Sequence, residues 1–407
     1  MEVKKKILVL GINCLPELTG IGKYTGEMIT WLADQGHEVT MVTAFPYYPQ
    51  WKVEESSSNR FYKKEILQNG KLKIYRCPLY VPSSPTGLKR LIHEISFFMS
   101  SFFVLFRLLF KPRHDVFFSI APPFHLGFLA LFYRFFKRTP IVYHIQDLQI
   151  EAAKELNMLP SPLFSMLFSM ERFILNSVNI VTTISEGMKR KIVKKTKRNV
   201  TLFPNWVDTF EFHPVVGRNE LKLRWGFLPN DKIVLYSGSI GEKQGLDALI
   251  RIAHELKSYS DIKFIICGTG PFKNNLVQLT ADLMLQNVHF LPLQGKDVFN
   301  DFLNIGDIHI VLQKADASDL VMPSKLTTIL SIGGLALITA NLGTTLCDVV
   351  LTHQMGVVVI PEDENVLKEA ILKCCNGDFS LERANARKYA ETNLNKDNIL
   401  TKMVNNI

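Results

Sequence analysis

The sequence predicts a two-domain α/β protein, each domain a parallel sheet with helices on both faces. Three observations carry that expectation. Short apolar runs rich in Val and Ile alternate with helical stretches along nearly the whole chain, the rhythm of βα units. The rhythm restarts after FPNWVD (203–208) and a polar connector. The chain has 407 residues, more than one hydrophobic core accommodates.

The elements follow in order. Residues 7–10, after Lys4, Lys5 and Lys6, read as a buried first strand, too short for the core of a signal peptide. Ile21, Met28, Ile29 and Leu32 recur at helical spacing from about Gly22, and Gly36 sits where a helix ends. HEVTMVTA (37–44) is β-branched and apolar, a second strand, and strands follow at 116–120, 141–145 and 180–184. The second half places strands at 233–237, 262–267, 288–291, 308–312, 335–339 and 357–360. The division expected is a first domain over 1–207 and a second over 208–385. A polar helical stretch from about Ser380 ends the chain, and its part over 386–407 is expected to cross back to the first domain.

Composition narrows the class. Apolar residues make up 47% and charged residues 21%, which excludes a disordered or fibrous chain. Residues 1–220 hold 29 basic and 18 acidic side chains, whereas residues 221–407 hold 18 and 20. A basic first half suits an anionic partner: phospholipid, diphosphate or nucleic acid. The six cysteines show no Cys-x-x-Cys pair and no matching histidine spacing, which argues against a disulfide framework or zinc site and fits a reducing cytosol.

One region raises the question of a membrane. ISFFMSSFFVLF (95–106) is twelve residues without charge, short of the roughly 20 that a spanning helix needs. The uncharged run 116–133 is interrupted by Pro122 and Pro123, so neither is expected to span. The 88–113 segment, flanked by Lys89, Arg90, Lys111 and Arg113, fits either a core helix or a helix lying in the membrane interface. In the second case Phe97, Phe98, Phe102 and Phe103 would meet the acyl boundary.

Four motifs carry chemistry. PELTGIGKYTGE (16–27) joins the first strand to the first helix, and its glycines let backbone N–H groups approach an anionic or sugar ligand. It fails both the dinucleotide fingerprint and the P-loop pattern, and a plain turn would look the same. YHIQDLQIE (143–151) sets His144, Gln146 and Asp147 at the C-terminal end of a parallel strand, where open α/β sheets bind ligands. Asp147 there fits a group that orients or deprotonates a hydroxyl, and fits a helix cap as well. YSGSIGEKQG (236–245) ends a strand in a Gly-rich turn carrying Lys243, and ICGTGP (266–271) repeats that turn one unit later with Gly268 and Gly270. Such turns offer cations and N–H donors to a diphosphate and a close backbone to a flat base or ribose. MPSKLTTILSIGG (322–334) opens another helix with Ser324 and Lys325.

GIGKYTGEMITWLADQGHEVTMVTA, SGSIGEKQGLDALI, CGTGP and PSKLTTILSIGGLALITA occur in the order found in retaining glycosyltransferases of family 4. The resemblance spans nearly the whole chain and is strongest to the bacterial exopolysaccharide branch that includes the colanic acid biosynthesis fucosyltransferase. It implies the GT-B fold, two Rossmann-like domains facing each other across a cleft, with the acceptor on the first and a nucleotide sugar on the second. It further implies that Gly20 and Gly22 lie near the donor phosphates or transferred sugar. By the same resemblance His144, Gln146 and Asp147 face the acceptor, with Asp147 catalytic, and Lys243 matches the catalytic, diphosphate-binding lysine. Ser239, Gly268, Gly270, Ser324, Lys325 and Thr328 fall on the donor side. Two departures stand out: Ser239 replaces the family's phosphate-binding arginine, and the paired glutamates fall near Leu320 and at Thr328, with Asp319 one position off.

The expected activity is metal-independent, retaining transfer of a sugar, fucose from GDP-fucose being favoured, to a glycan carried on a polyprenyl diphosphate. No cofactor is expected beyond the nucleoside diphosphate sugar as substrate. The expected location is the cytoplasm, with peripheral contact on an anionic membrane. A nucleotide-sugar 2-epimerase of related fold and a non-catalytic nucleotide-sugar or nucleic-acid binding protein stay open as alternatives. KRKIVKKTKR (189–198) gives nucleic acid little support, because no aromatic residues are interleaved.

Overall fold

Buried β-branched runs build two separate sheets. The computed structural model describes residues 4–17, 20–53, 59–155, 161–312 and 323–407. The chain divides into one unit of Met1–Pro204 with Lys402–Ile407 and another of Asn205–Thr401.

Among its described residues the first unit holds eight strands: β1 (Lys6–Leu10), β2 (Glu38–Ala44), β3 (Lys63–Leu67), β4 (Leu72–Cys77), β5 (Val116–Ala121), β6 (Ile141–Ile145), β7 (Ile180–Thr183) and β8 (Val200–Leu202). Their order is β3-β4-β2-β1-β5-β6-β7-β8, and every pairing is parallel except that of β3 with β4. Strands β3, β4 and β8 are additions to the sequence expectation. The helices of this unit among the described residues are α1 (Gly20–Asp34), α2 (Gly87–Leu108), α3 (Leu126–Lys137), α4 (Gln149–Glu155), α5 (Ser161–Ser177) and α6 (Glu186–Val193). Helix α1 buries Met28, Ile29 and Leu32, and it ends before Gly36, whose φ of +89° only glycine adopts readily. Ser185 caps α6 by accepting the N–H of Met188.

Helix α2 is longer than its uncharged run suggests. Its 22 residues, with a mean hydropathy of 1.5 over the best 18-residue window, are long and apolar enough to cross a bilayer. One face nevertheless packs on β2, β4 and α3, burying Phe97, Val104, Leu105 and Leu108. The opposite face leaves Leu91, Ile95, Met99, Phe103 and Phe106 exposed. It is a core helix along one stripe and bare along the other.

Among its described residues the second unit has six strands, all parallel: β9 (Lys232–Ser237), β10 (Ile262–Cys267), β11 (Val288–Leu291), β12 (Ile308–Val311), β13 (Ala336–Thr339) and β14 (Gly356–Val359). They lie in the order β11-β10-β9-β12-β13-β14. Alternate residues feed two cores, Leu235, Ile265, Val311 and Ile338 on one face and Val234, Phe264, Ile310 and Leu337 on the other. Its described helices are α7 (Arg218–Arg224), α8 (Leu246–Glu255), α9 (Lys273–Asp282), α10 (Lys296–Asn304), α11 (Ser324–Ser331), α12 (Thr345–Thr352), α13 (Glu364–Asn376) and α14 (Ser380–Tyr389), and α15 (Lys396–Asn405) starts in it and ends in the first unit.

The beginning and end of this unit are tied together. Val207 pairs with Asn395 in a parallel bridge, Val207 N–H donating to Leu394 O and Lys396 N–H to Val207 O. Lys396 also pairs with Asp208, and Asn395 donates to the Thr209 hydroxyl at 2.6 Å. Arg387 on α14 donates to the carbonyls of Phe212 and Ser331. Residues 386–401 therefore stay with the second unit, and the return expected at 386 comes at Lys402.

Candidate active site

In the second sheet the strand order reverses between β9 and β12. Such a switch point leaves a crevice at the strands' carboxyl ends. The turn after β9 and the turn after β10 are laced together there. Gly238 N–H donates to Cys267 O at 3.0 Å, Ile240 N–H to Thr269 O at 2.9 Å and Phe272 N–H to Ile240 O at 3.2 Å. A Cβ on Gly268 would collide with the Gly238 carbonyl, and one on Gly270 with the Ile240 carbonyl. These two glycines let one turn pack against the other, where the sequence suggested approach to a base or ribose.

Lys325, second residue of α11, lays its ammonium 3.9 Å from the centre of the Tyr236 ring. The Tyr236 hydroxyl donates to the Ser239 carbonyl at 2.6 Å. Loss of water around the amine lowers its pKa to about 7, although the residue keeps part of its surface. Among the described residues no carboxylate pairs with it. Ser324 is exposed at the start of α11, and Thr328, one turn on, is buried in that helix. Lys243 belongs to the 3-10 turn Glu242–Gln244, but its side chain, like Leu320 and Asp319, lies outside the described residues. Sequence reasoning missed Lys273, whose ammonium donates to Gly268 O at 3.2 Å. Its place two residues beyond CGTGP was the available signal.

The first unit gathers its candidates at the ends of β1, β5 and β6. Gly20 opens α1 with φ +57°. A Cβ on Gly22 would stand 2.5 Å from an oxygen of Glu17. Glu17, which the sequence reading passed over, is buried and accepts from Asn13 Nδ2 (2.9 Å), Tyr47 N–H (3.1 Å) and Tyr48 N–H (3.0 Å). Burial raises its pKa, and those donors oppose the rise. The loop is thus folded around a carboxylate.

His144 is 3% exposed, bonded through Nδ1 to the Thr182 hydroxyl at 2.9 Å and packed on Phe203. Burial lowers its pKa to about 3, so it is neutral, and its bond to Thr182 ties β6 to β7. Gln146 is buried, its N–H donating to Ala121 O. Asp147 is half-buried and its pKa is raised, chiefly by desolvation, against a backbone N–H from Leu148. Two residues on, Gln149 donates to Glu94 at 2.6 Å and accepts the Phe124 N–H. Burial lifts Glu94 to about 7 and depresses His125 to about 4. The Nε2 of His125 has no partner among the described residues. The motif APPFH after β5, matching the strand-end position of Asp147, was the signal for His125.

The structure therefore brings Gly238, Ser239, Gly268, Gly270 and Lys325 into one site in the second unit. In the first, Gly20 and Gly22 stand at the end of β1 and Gln146 and Asp147 at the end of β6, with β5 between those strands.

Comparisons with known proteins match both halves of the chain to families. Residues 19–206 match the family described as Glycosyl transferase 4-like domain, and residues 218–393 match Glycosyl transferases group 1. The chain is 42% identical, over 99% of both chains, to a protein of Escherichia coli (strain K12) named as a glycosyl transferase of colanic acid biosynthesis, WcaI. Sucrose-phosphate synthase from Thermosynechococcus elongatus superposes with a TM-score of 0.72 at 15% identity, covering 99% of this chain and 98% of that one. Anabaena Alr3699/HepE, in a structure with UDP and glucose, superposes with a TM-score of 0.68 at 13% identity, covering 99% of each. At these identities the two structures share the fold alone.

Proposed function

The chain belongs to the family 4 glycosyltransferases of GT-B fold, and from that premise we propose that it moves a sugar from a nucleoside diphosphate sugar to a glycan in the assembly of a cell-surface polysaccharide. The observation that carries the donor half is Lys325. It is a cation held on an aromatic face at the sheet's switch point, with no carboxylate partner among the described residues. A diphosphate supplies the charge such a group lacks. Breaking the sugar–diphosphate bond builds negative charge on the departing oxygen, and Lys325 with Lys243 would stabilise it where it develops.

Retention without a metal is part of the same reading. The acceptor hydroxyl attacks from the face the diphosphate leaves, and the departing oxygen takes its proton. Asp147 would orient the acceptor. The favoured donor is GDP-fucose and the favoured acceptor a polyprenyl-diphosphate-linked glycan at the cytoplasmic face of a membrane, on the strength of the exopolysaccharide resemblance.

A thermal-shift panel of GDP, UDP, TDP and CMP tests the donor. A ligand at 100 times its Kd stabilises by about 2.7 kcal/mol, which is readily seen. Stabilisation by UDP alone replaces the fucose donor with another sugar nucleotide, and no stabilisation removes the donor site. Sugar transfer that requires an acceptor separates this activity from an epimerase.

A further inference from the structure

The first unit carries a connected ledge of aromatic rings along the bare side of α2 and α3. Phe102 meets Phe106 at 6.2 Å between ring centres and, across the helix pair, Phe132 at 5.1 Å. Phe106 leads to Phe110 at 5.5 Å, Phe132 to Phe136 at 5.2 Å and Phe136 to Phe135 at 5.1 Å. The outer rings stand in solvent: Phe110 is 77% exposed, Phe135 80% and Phe136 57%. Of the four rings the sequence suggested, Phe102 belongs to the ledge and Phe103 is exposed beside it, whereas the other two turn inward. Phe97 is wholly buried and Phe98 packs on His125, because residues one apart on a helix face different ways. A connected patch of exposed rings marks an interaction surface.

Charge selects the occupant. Residues 102–138 hold six basic side chains and one acidic one, Asp115. Lys111, Arg113 and Arg138 are exposed where α2 and α3 end, beside Phe110, Phe135 and Phe136 in sequence. Lys137 donates to the Lys111 carbonyl at 2.8 Å, which brings the two ends together. Rings with a rim of cations match the acyl boundary and headgroups of an anionic bilayer. A second copy of this chain would set the same cations against each other.

We propose that this ledge docks the first unit on an anionic membrane, with Phe110, Phe135 and Phe136 at the acyl boundary and Lys111, Arg113 and Arg138 on the phosphates. The attachment is peripheral, since the buried stripe of α2 stays on its sheet. It rests on the chemistry of the ledge and holds whether or not the acceptor is lipid-linked.

The test is co-sedimentation of the full chain with vesicles of phosphatidylcholine alone and of equal parts phosphatidylcholine and phosphatidylglycerol, at low and high salt. Two double variants accompany it, Phe135→Ser with Phe136→Ser, and Lys111→Glu with Arg138→Glu. The expected result is binding to the anionic vesicles only, weakened by salt, and reduced about tenfold or more in each variant at an unchanged thermal midpoint. Variants that sediment like the parent place the contact elsewhere and overturn the assignment. So does a parent that ignores anionic vesicles, or a dimer that the Phe pair alone disrupts. Nucleotide binding measured on the Phe variant reads the transferase site separately, so loss of one property is distinguishable from loss of the other.

Discussion

The ammonium of Lys325 sits 3.9 Å from the centre of the Tyr236 ring, and the hydroxyl of that tyrosine is bonded to the Ser239 carbonyl. One side chain thus links the first turn of α11 to the turn after β9. The ring face returns to the amine part of what it loses by leaving water. The position of the cation is therefore set by two strand-end loops together.

Lys325→Ala should lower affinity for a nucleoside diphosphate by about 10- to 100-fold, the loss of a charge-assisted contact worth about 1.5–3 kcal/mol. Lys373→Ala, exposed on α13, should leave it unchanged. Titration calorimetry of both variants decides the matter, and equal affinity in the two removes Lys325 from the site.

Nucleotide binding should take up a proton above neutral pH. Burial lowers the Lys325 amine to about 7, so in the free protein it is largely neutral at pH 8–9. A bound diphosphate favours the ammonium, and uptake should approach one proton per site there and fade below about pH 6. Calorimetry in two buffers of different ionisation enthalpy measures it. The sign for stability follows from the same shift. Between about pH 7 and 10.5 the unfolded chain holds the proton and the folded one does not, so this group's contribution to stability rises with pH through that window.

Asp147→Asn should depress sugar transfer while leaving nucleotide affinity near that of the parent. The amide keeps the shape of the carboxylate but loses its charge and basicity. Steady-state kinetics beside equilibrium nucleotide binding check this, and a collapse of nucleotide affinity would assign Asp147 to the donor instead.

Gly270→Ala should destabilise the second unit by about 3 kcal/mol or more, because its Cβ would meet the Ile240 carbonyl within a backbone contact that cannot widen without breaking the Ile240–Thr269 hydrogen bond. Gly343→Ala meets open space, although its φ of +77° still costs about 1 kcal/mol. Thermal denaturation should rank the two in that order. A Gly270→Ala midpoint equal to the parent's would show that the turns can separate.

The strands of the second sheet were all legible, since a parallel strand buried on both faces reads as an apolar run such as IVLY in β9 or FIIC in β10. Strands β3 and β4 were not. KKEIL lies at the sheet edge with its lysines exposed, and LKIYRC alternates charge with apolar residues, so neither forms such a run. The glycine-bearing turns at the site were also legible, but not what they approach. Gly268 faces a carbonyl thirty residues earlier in the chain, and no local pattern records that pairing. Glu94 and His125 escaped for a related reason: their burial depends on α2 crossing the ends of other elements.

The bridge between Val207 and Asn395 has a topological consequence. The second unit is an insertion whose two ends meet, so cutting the chain near 205 and 401 would leave neither end dangling from the other side of the sheet. Closing such a loop from within spares a fragment the entropy that a distant pair of ends would cost. Residues 205–401 should accordingly behave as a separable module, and new termini in surface turns far from this junction should be tolerated once residues 205 and 401 are joined by a short linker.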